Sequence, residues 1–151
     1  GTMRPVLELL TKRDAGNWSL APTESVFDAL KNLSDHNVGA LMVMDGGKLV
    51  GVFSERDYTR KIALAGKSSK DTLVKDIMTT KVITVSPLVR TRDCLALMSQ
   101  KSIRHLPVVD GEKALGMISI RDLMNDIISD HETTISHLEH YIYSYPPVIV
   151  S

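Results

Sequence analysis

The chain has a single cysteine, Cys94, in 151 residues. One thiol closes no intrachain disulfide, so the fold must hold by packing, as proteins of a reducing compartment do. No apolar run reaches the roughly 18 residues that a membrane-spanning helix needs, and the opening GTMRPVLELL lacks the pattern of a secretory signal. An excess of charge of one sign is also missing. The 18 Lys and Arg are balanced by 18 Asp and Glu, which argues against the basic surface that displaces counterions from nucleic acid and against a polybasic membrane contact. A local basic pocket stays compatible with that balance. The expectation is a cytoplasmic protein that binds neither nucleic acid nor membrane. Gly1-Thr2 before Met3 reads as a cloning remnant, and residues 1–4 are set aside as tag or N-terminal residues.

Motifs of catalysis are equally scarce. There is no G-x-x-x-x-G-K-[ST] frame, no recognisable Ser/His/Asp context and no metal cage. The segment HETTISHLEH, 131–140, places His137 and His140 on one helix face, but His131 lies well round the helix and no third ligand is arranged for zinc. Ile135, Leu138 and Ile142 form an apolar stripe there, so 131–151 reads as a helical extension followed by a helix-breaking tail, SYPPVIVS. Neither an enzyme nor a catalytic cofactor is expected.

What the chain does have is a repeat. GVFSERD at 51–57 returns as GMISIRD at 116–122, and residues 17–62 lie on 82–127 without a gap, with fourteen identities in 46 pairs. Upstream, VLELLTK (6–12) resembles VKDIMTT (74–80) at a slightly longer offset. Repeat 1 is taken as 5–66, the connector as 67–73 and repeat 2 as 74–130.

Each copy starts with a short apolar run, WSL (18–20) or VITV (82–85), broken by Pro22 or Pro87. A helical period follows: Val26, Ala29, Leu30 and Leu33, then Thr91, Cys94, Leu95 and Met98. Next come two strands about a tight turn, ALMVM-DGGK-LVGVF in copy one and HLPVV-DGEK-ALGMI in copy two, and a helix from Ser54 or Ser119. The strands are apolar on both faces and should be buried under helices. The order is β–α–β–β–α, twice.

The repeated phrase has two readings. Serine with aspartate three residues on, at a helix start, is close to a capping box, which would account for both residues. The same end could also bind a ligand. Free amides and a serine would meet phosphate, an arginine could pair with it bidentately, and an aspartate can accept from a ribose diol. Both readings stand on the sequence.

In VKDIMTTKVITVSP, SIRHLPVVDGEKALGMISIRD and NVGALMVMDGGKLVGVFSERD the chain resembles a tandem pair of cystathionine-β-synthase-type (CBS) domains, a Bateman module, over about residues 5 to 130. It looks most like the small stand-alone bacterial members. The resemblance implies an α/β (α+β) fold with two repeats packed sheet to sheet about a pseudo-twofold axis, leaving two clefts for adenosine nucleotides. AMP comes first, then ATP, NADH or S-adenosylmethionine. The family's phrase falls on Gly51, Ser54 and Asp57, and on Gly116, Ser119 and Asp122, where Ser and Asp would hold ribose or phosphate. Arg56 and Arg121 stand within it as candidates to pair with phosphate; relatives commonly have glycine at the second position, which sets against that role for Arg121 a place on the exposed side of its helix. The base would rest near Trp18, Ser19 and Leu20, or near Ile83, Thr84 and Val85. Arg104 and His105, ahead of Leu106 and Pro107, match positions that reach phosphate; copy one has Gly39-Ala40 there, so the clefts should be unequal. His105 could equally be structural, and Trp18 could equally be packing. Cys94 reads as a core residue. The implied function is a nucleotide sensor, dimerised through its apolar helix faces and read by an effector protein in trans. The alternative is an interaction dimer that binds no nucleotide.

Overall fold

The computed structural model describes residues 4–12, 19–130 and 140. Trp18 and the stretches 131–139 and 141–151, with most of the histidine pattern and the tail, lie outside the described residues. The elements are α1 (Leu7–Lys12), β1 (Ser19–Leu20), α2 (Val26–His36), β2 (Ala40–Asp45), β3 (Lys48–Ser54), α3 (Glu55–Tyr58), α4 (Val74–Ile77), α5 (Thr91–Lys101), β4 (His105–Asp110), β5 (Lys113–Ser119) and α6 (Ile120–Asp130). A π turn, Thr59–Ala63, continues α3.

The helices follow the expected periods. Val26, Ala29 and Leu33 bury one face of α2; Thr91, Cys94 and Met98 do the same for α5. Ser25 caps α2 by accepting the Asp28 N–H, a position filled by Arg90 in the second copy, where no side-chain cap forms. Left-handed Asn37 and Ser102 end the two helices at equivalent places.

Strands β1, β2 and β3 form one sheet; β4 and β5 form the other, with β3 lying against β5. Both hairpins carry an irregularity at the same repeat position, Val43/Met44 and Val108/Val109. Burial on both faces holds for β2, whereas β3 and β5 alternate between buried and half-exposed positions.

The expected strand at 82–85 does not form. It is reduced to one parallel bridge, Val85 to Val108. In the first copy the parallel pairing runs through Ser19–Met42 and Leu20–Val43. The matching rung in copy two would need an N–H at Pro107, and proline has none.

The two cores are built by exchange. Val6, Leu9 and Leu10 of the first copy's leading helix pack with Val85, Met98, Leu106 and Ile118 of the second copy. Val74 and Ile77, which lead the second copy, pack with Leu20, Val26, Leu41 and Phe53 of the first. The docking bonds match: Val74 N–H donates to Glu24 O and Lys75 N–H to Pro22 O, while Val6 N–H donates to Val89 O and Leu7 N–H to Pro87 O. Each sequence repeat thus contributes a helix to the other's core. No helix among the described residues is long and apolar enough to cross a membrane.

Candidate functional site

Ser54 ends β3 in an extended conformation and turns the chain into α3. Its Oγ accepts the Asp57 N–H (3.2 Å), and Asp57 Oδ2 accepts from the Ser54 N–H (3.0 Å) and hydroxyl (3.1 Å). The capping box is therefore complete. Asp57 is only 5% exposed, and its other oxygen, Oδ1, accepts from Lys61 Nζ (3.0 Å) and Thr79 Oγ1 (2.9 Å). Four donors fill the lone-pair sites of one carboxylate. Lys61 Nζ also donates to Ile77 O at 2.8 Å, tying the π turn to α4.

Thr79 reaches Asp57 because position 51 is glycine. A Cβ there would stand 2.6 Å from Met78 Sδ and 2.9 Å from Thr79 O. Without it, Val52 and Thr79 exchange backbone hydrogen bonds at 3.0 and 2.9 Å. The repeated glycine is thus a point of close approach.

The second phrase repeats the cap: Asp122 N–H donates to Ser119 Oγ (3.2 Å) and Ser119 N–H to Asp122 Oδ2 (2.8 Å). Both helix ends are less open than the free-amide reading supposed. Glu55 N–H donates to Gly39 O and Ile120 N–H to Arg104 O. With the Asp57 and Asp122 amides already used, a phosphate here would be met chiefly by side chains.

Two clefts lie between the repeats. One, of about 490 Å³, joins Ser54, Asp57, Lys61 and Thr79 of one wall to Ile83, Arg104, His105 and Pro107 of the other. The second, of about 680 Å³, joins Ser119, Arg121 and Asp122 to Gly39, Ala40 and Met42. Gly39, Ala40, Glu55, Arg104 and His105 line both. The His105 ring lies against Gly39, 3.4 Å from where a Cβ would stand. Burial pushes the His105 pKa below its ordinary 6.5; the Asp122 charge raises it and Arg104 lowers it, with burial the largest influence.

Of the residues singled out in the sequence, Ser54, Arg56, Asp57, Ile83, Arg104, His105 and Pro107 meet in the first cleft. Ser119, Arg121 and Asp122 meet in the second. Leu20, Val85 and Leu106 are buried in the cores instead. Ser19 and Thr84 are exposed and line neither cleft. Arg56 crosses between the repeats, donating from Nη1 to Ser102 O at 3.2 Å.

Five polar residues of the first cleft were not picked out in the sequence: Glu55, Arg60, Lys61, Thr79 and Lys81. A signal for two of them was present. At the repeat offset, Arg60 and Lys61 stand where copy two has Asn125 and Asp126, and Asp57–Lys61 is an i,i+4 ion-pair spacing. Thr79 and Lys81 come to the cleft through tertiary packing alone.

Against known proteins, the family model described as the CBS domain matches twice, over residues 7–64 and 74–129. The CBS domain-containing protein CBSX3, mitochondrial, of Arabidopsis thaliana is 40% identical over 147 residues, covering 93% of this chain and 71% of that one. The CBS domain-containing protein YhcV of Bacillus subtilis is 30% identical over 124 residues, 79% of this chain and 88% of its own length. Among solved structures, a putative signal-transduction protein with CBS domains from Burkholderia ambifaria superposes with a TM-score of 0.80 at 41% identity, over 84% of this chain and 96% of that one.

Proposed function

The chain belongs to the CBS-domain family as a tandem pair, and from that premise we propose that it is a non-catalytic sensor whose inter-repeat clefts bind an adenosine nucleotide. Pairs of CBS domains are generally regulatory and often bind nucleotides. The observation that carries the reading is the position of Asp57, a buried carboxylate facing a cleft whose opposite wall comes from the other repeat. A ribose diol is the neutral two-donor group that such a carboxylate takes, and Ile83 and Pro107 offer the apolar wall for a base.

Because four donors already occupy Asp57, the ribose must displace at least one of them. Lys61 is the donor with a flexible stem. Its release frees an ammonium for phosphate and undoes its bond to Ile77 O, which ties the π turn to α4. The ligand acts by binding the two arrangements unequally. A partner protein in trans reads the change.

A second reading draws on the completed capping boxes, which by themselves account for Ser54, Asp57, Ser119 and Asp122. In it the protein is an interaction dimer without a nucleotide. Isothermal titration with AMP, ATP, NADH and S-adenosylmethionine, on wild type, Asp57→Ala and Asp122→Ala, separates the two. The sensor reading expects heat with at least one ligand and a loss of affinity of about tenfold or more, 1.4 kcal/mol, in Asp57→Ala. Folded wild type that binds none of the four is an interaction module.

A further inference from the structure

The two clefts differ in charge. Lys61 is neutralised by Asp57 in the smaller cleft. What remains there is Arg56, Arg60, Lys81 and Arg104 against Glu55 alone. The larger cleft has Arg104 and Arg121 against Glu55 and Asp122, which balance. In a chain with no net charge, that concentration of cations in one inter-repeat cleft requires an explanation.

Arg60, Lys81 and Arg104 have no carboxylate partner among the described residues. All three are exposed, so they are hydrated and held near one another at no great cost, ready for an anion. They come from three places in the chain. Arg60 lies on the π turn, Lys81 follows the α4 segment and Arg104 precedes β4. A helix face solvated for its own sake would draw them from one element; these converge only because the repeats are packed together.

We propose that the cleft at Asp57 is a polyphosphate site: Arg60, Lys81 and Arg104 hold a chain of two or more phosphates, and the balanced cleft at Asp122 lacks this preference. The inference rests on the nucleotide reading above and names its ligand class, a nucleoside di- or triphosphate or a dinucleotide. Arg104 lines both clefts, so the discriminating residues are Arg60 and Lys81, which line only this one. Lys61 joins them when the ribose takes its place on Asp57.

The test compares AMP, ADP, ATP and inorganic tripolyphosphate on the full chain at about 50 and 200 mM salt, with wild type and the double variant Arg60→Ala/Lys81→Ala. Wild type is expected to bind ATP at least about tenfold tighter than AMP at low salt, with the ratio shrinking as salt screens the cations. The double variant brings that ratio close to one, and tripolyphosphate competes with ATP only in wild type. Both substituted side chains are exposed, so an unchanged melting temperature verifies the fold. AMP binding as tightly as ATP, or an ATP/AMP ratio unmoved in the double variant, overturns the inference while leaving nucleotide binding intact. Absence of binding by every nucleotide overturns both.

Discussion

At the scale of single residues, the phrase shared by the two copies does several jobs. Its serine and aspartate close the cap, its glycine lets a neighbouring segment approach, and in the first copy its aspartate also gathers Lys61 and Thr79. His105 shows how burial at the join between clefts sets a protonation state. Its folded pKa lies below 6.5, so between that value and 6.5 the unfolded chain binds the extra proton. Its contribution to stability is therefore whole above pH 6.5 and is lost as pH falls through 6.5 toward the folded value. Urea melts of wild type and His105→Gln between pH 5 and 8 should differ in this way, with the variant losing less stability on acidification. A larger acid loss in the variant would mean that His105 is held protonated, with Asp122 prevailing over burial. Cys94 is also governed by burial. With the Asp93 charge adding to it, burial pushes the thiol up to about 11, which removes the thiolate that a nucleophile needs.

At the scale of elements, the exchange of leading helices explains why the phrase needs glycine. Each exchanged segment crosses the strand that carries the phrase: Met78-Thr79 passes over Gly51, and Leu10 lies 3.0 Å from a Cβ built on Gly116. The two contacts differ in kind, since backbone crowds Gly51 and the end of a flexible side chain crowds Gly116. Gly51→Ala should cost about 2 kcal/mol and Gly116→Ala about 1 or less, read from denaturant midpoints at constant m. The reverse order would contradict the close approach of α4 to β3. Hairpins, helical periods and caps were legible in the sequence because they depend on local spacing, and repetition stated each of them twice. The missing strand was less visible: the apolar pattern of 82–85 is sound, and the obstacle is Pro107 on a different strand. The helix exchange was not legible at all, since similarity between VLELLTK and VKDIMTT says nothing about which core either joins. The same limit hid Thr79 and Lys81, whereas Arg60 and Lys61 could have been found by asking where the copies disagree in charge.

At the scale of the whole molecule, two similar halves enclose unlike clefts. Pseudo-symmetry places a Ser/Asp cap at each cleft, and departures from it decide the chemistry: Arg104-His105 stands opposite Gly39-Ala40, and Arg60-Lys61 opposite Asn125-Asp126. The departures Arg60, Lys61, Arg104 and His105 all line the Asp57 cleft. The outer surface carries an apolar stripe on α6, Ile120, Met124 and Ile128, four residues apart and partly exposed. The most direct measurement is a ¹⁵N-labelled spectrum of the full chain titrated with ATP. Binding between the repeats shifts amides of Ser54–Lys61, Thr79–Ile83 and Arg104–Val108 together, from both repeats and with one dissociation constant, Pro107 having no amide proton. Unmoved amides in those three segments, or shifts confined to a single repeat, would contradict a nucleotide held between the two.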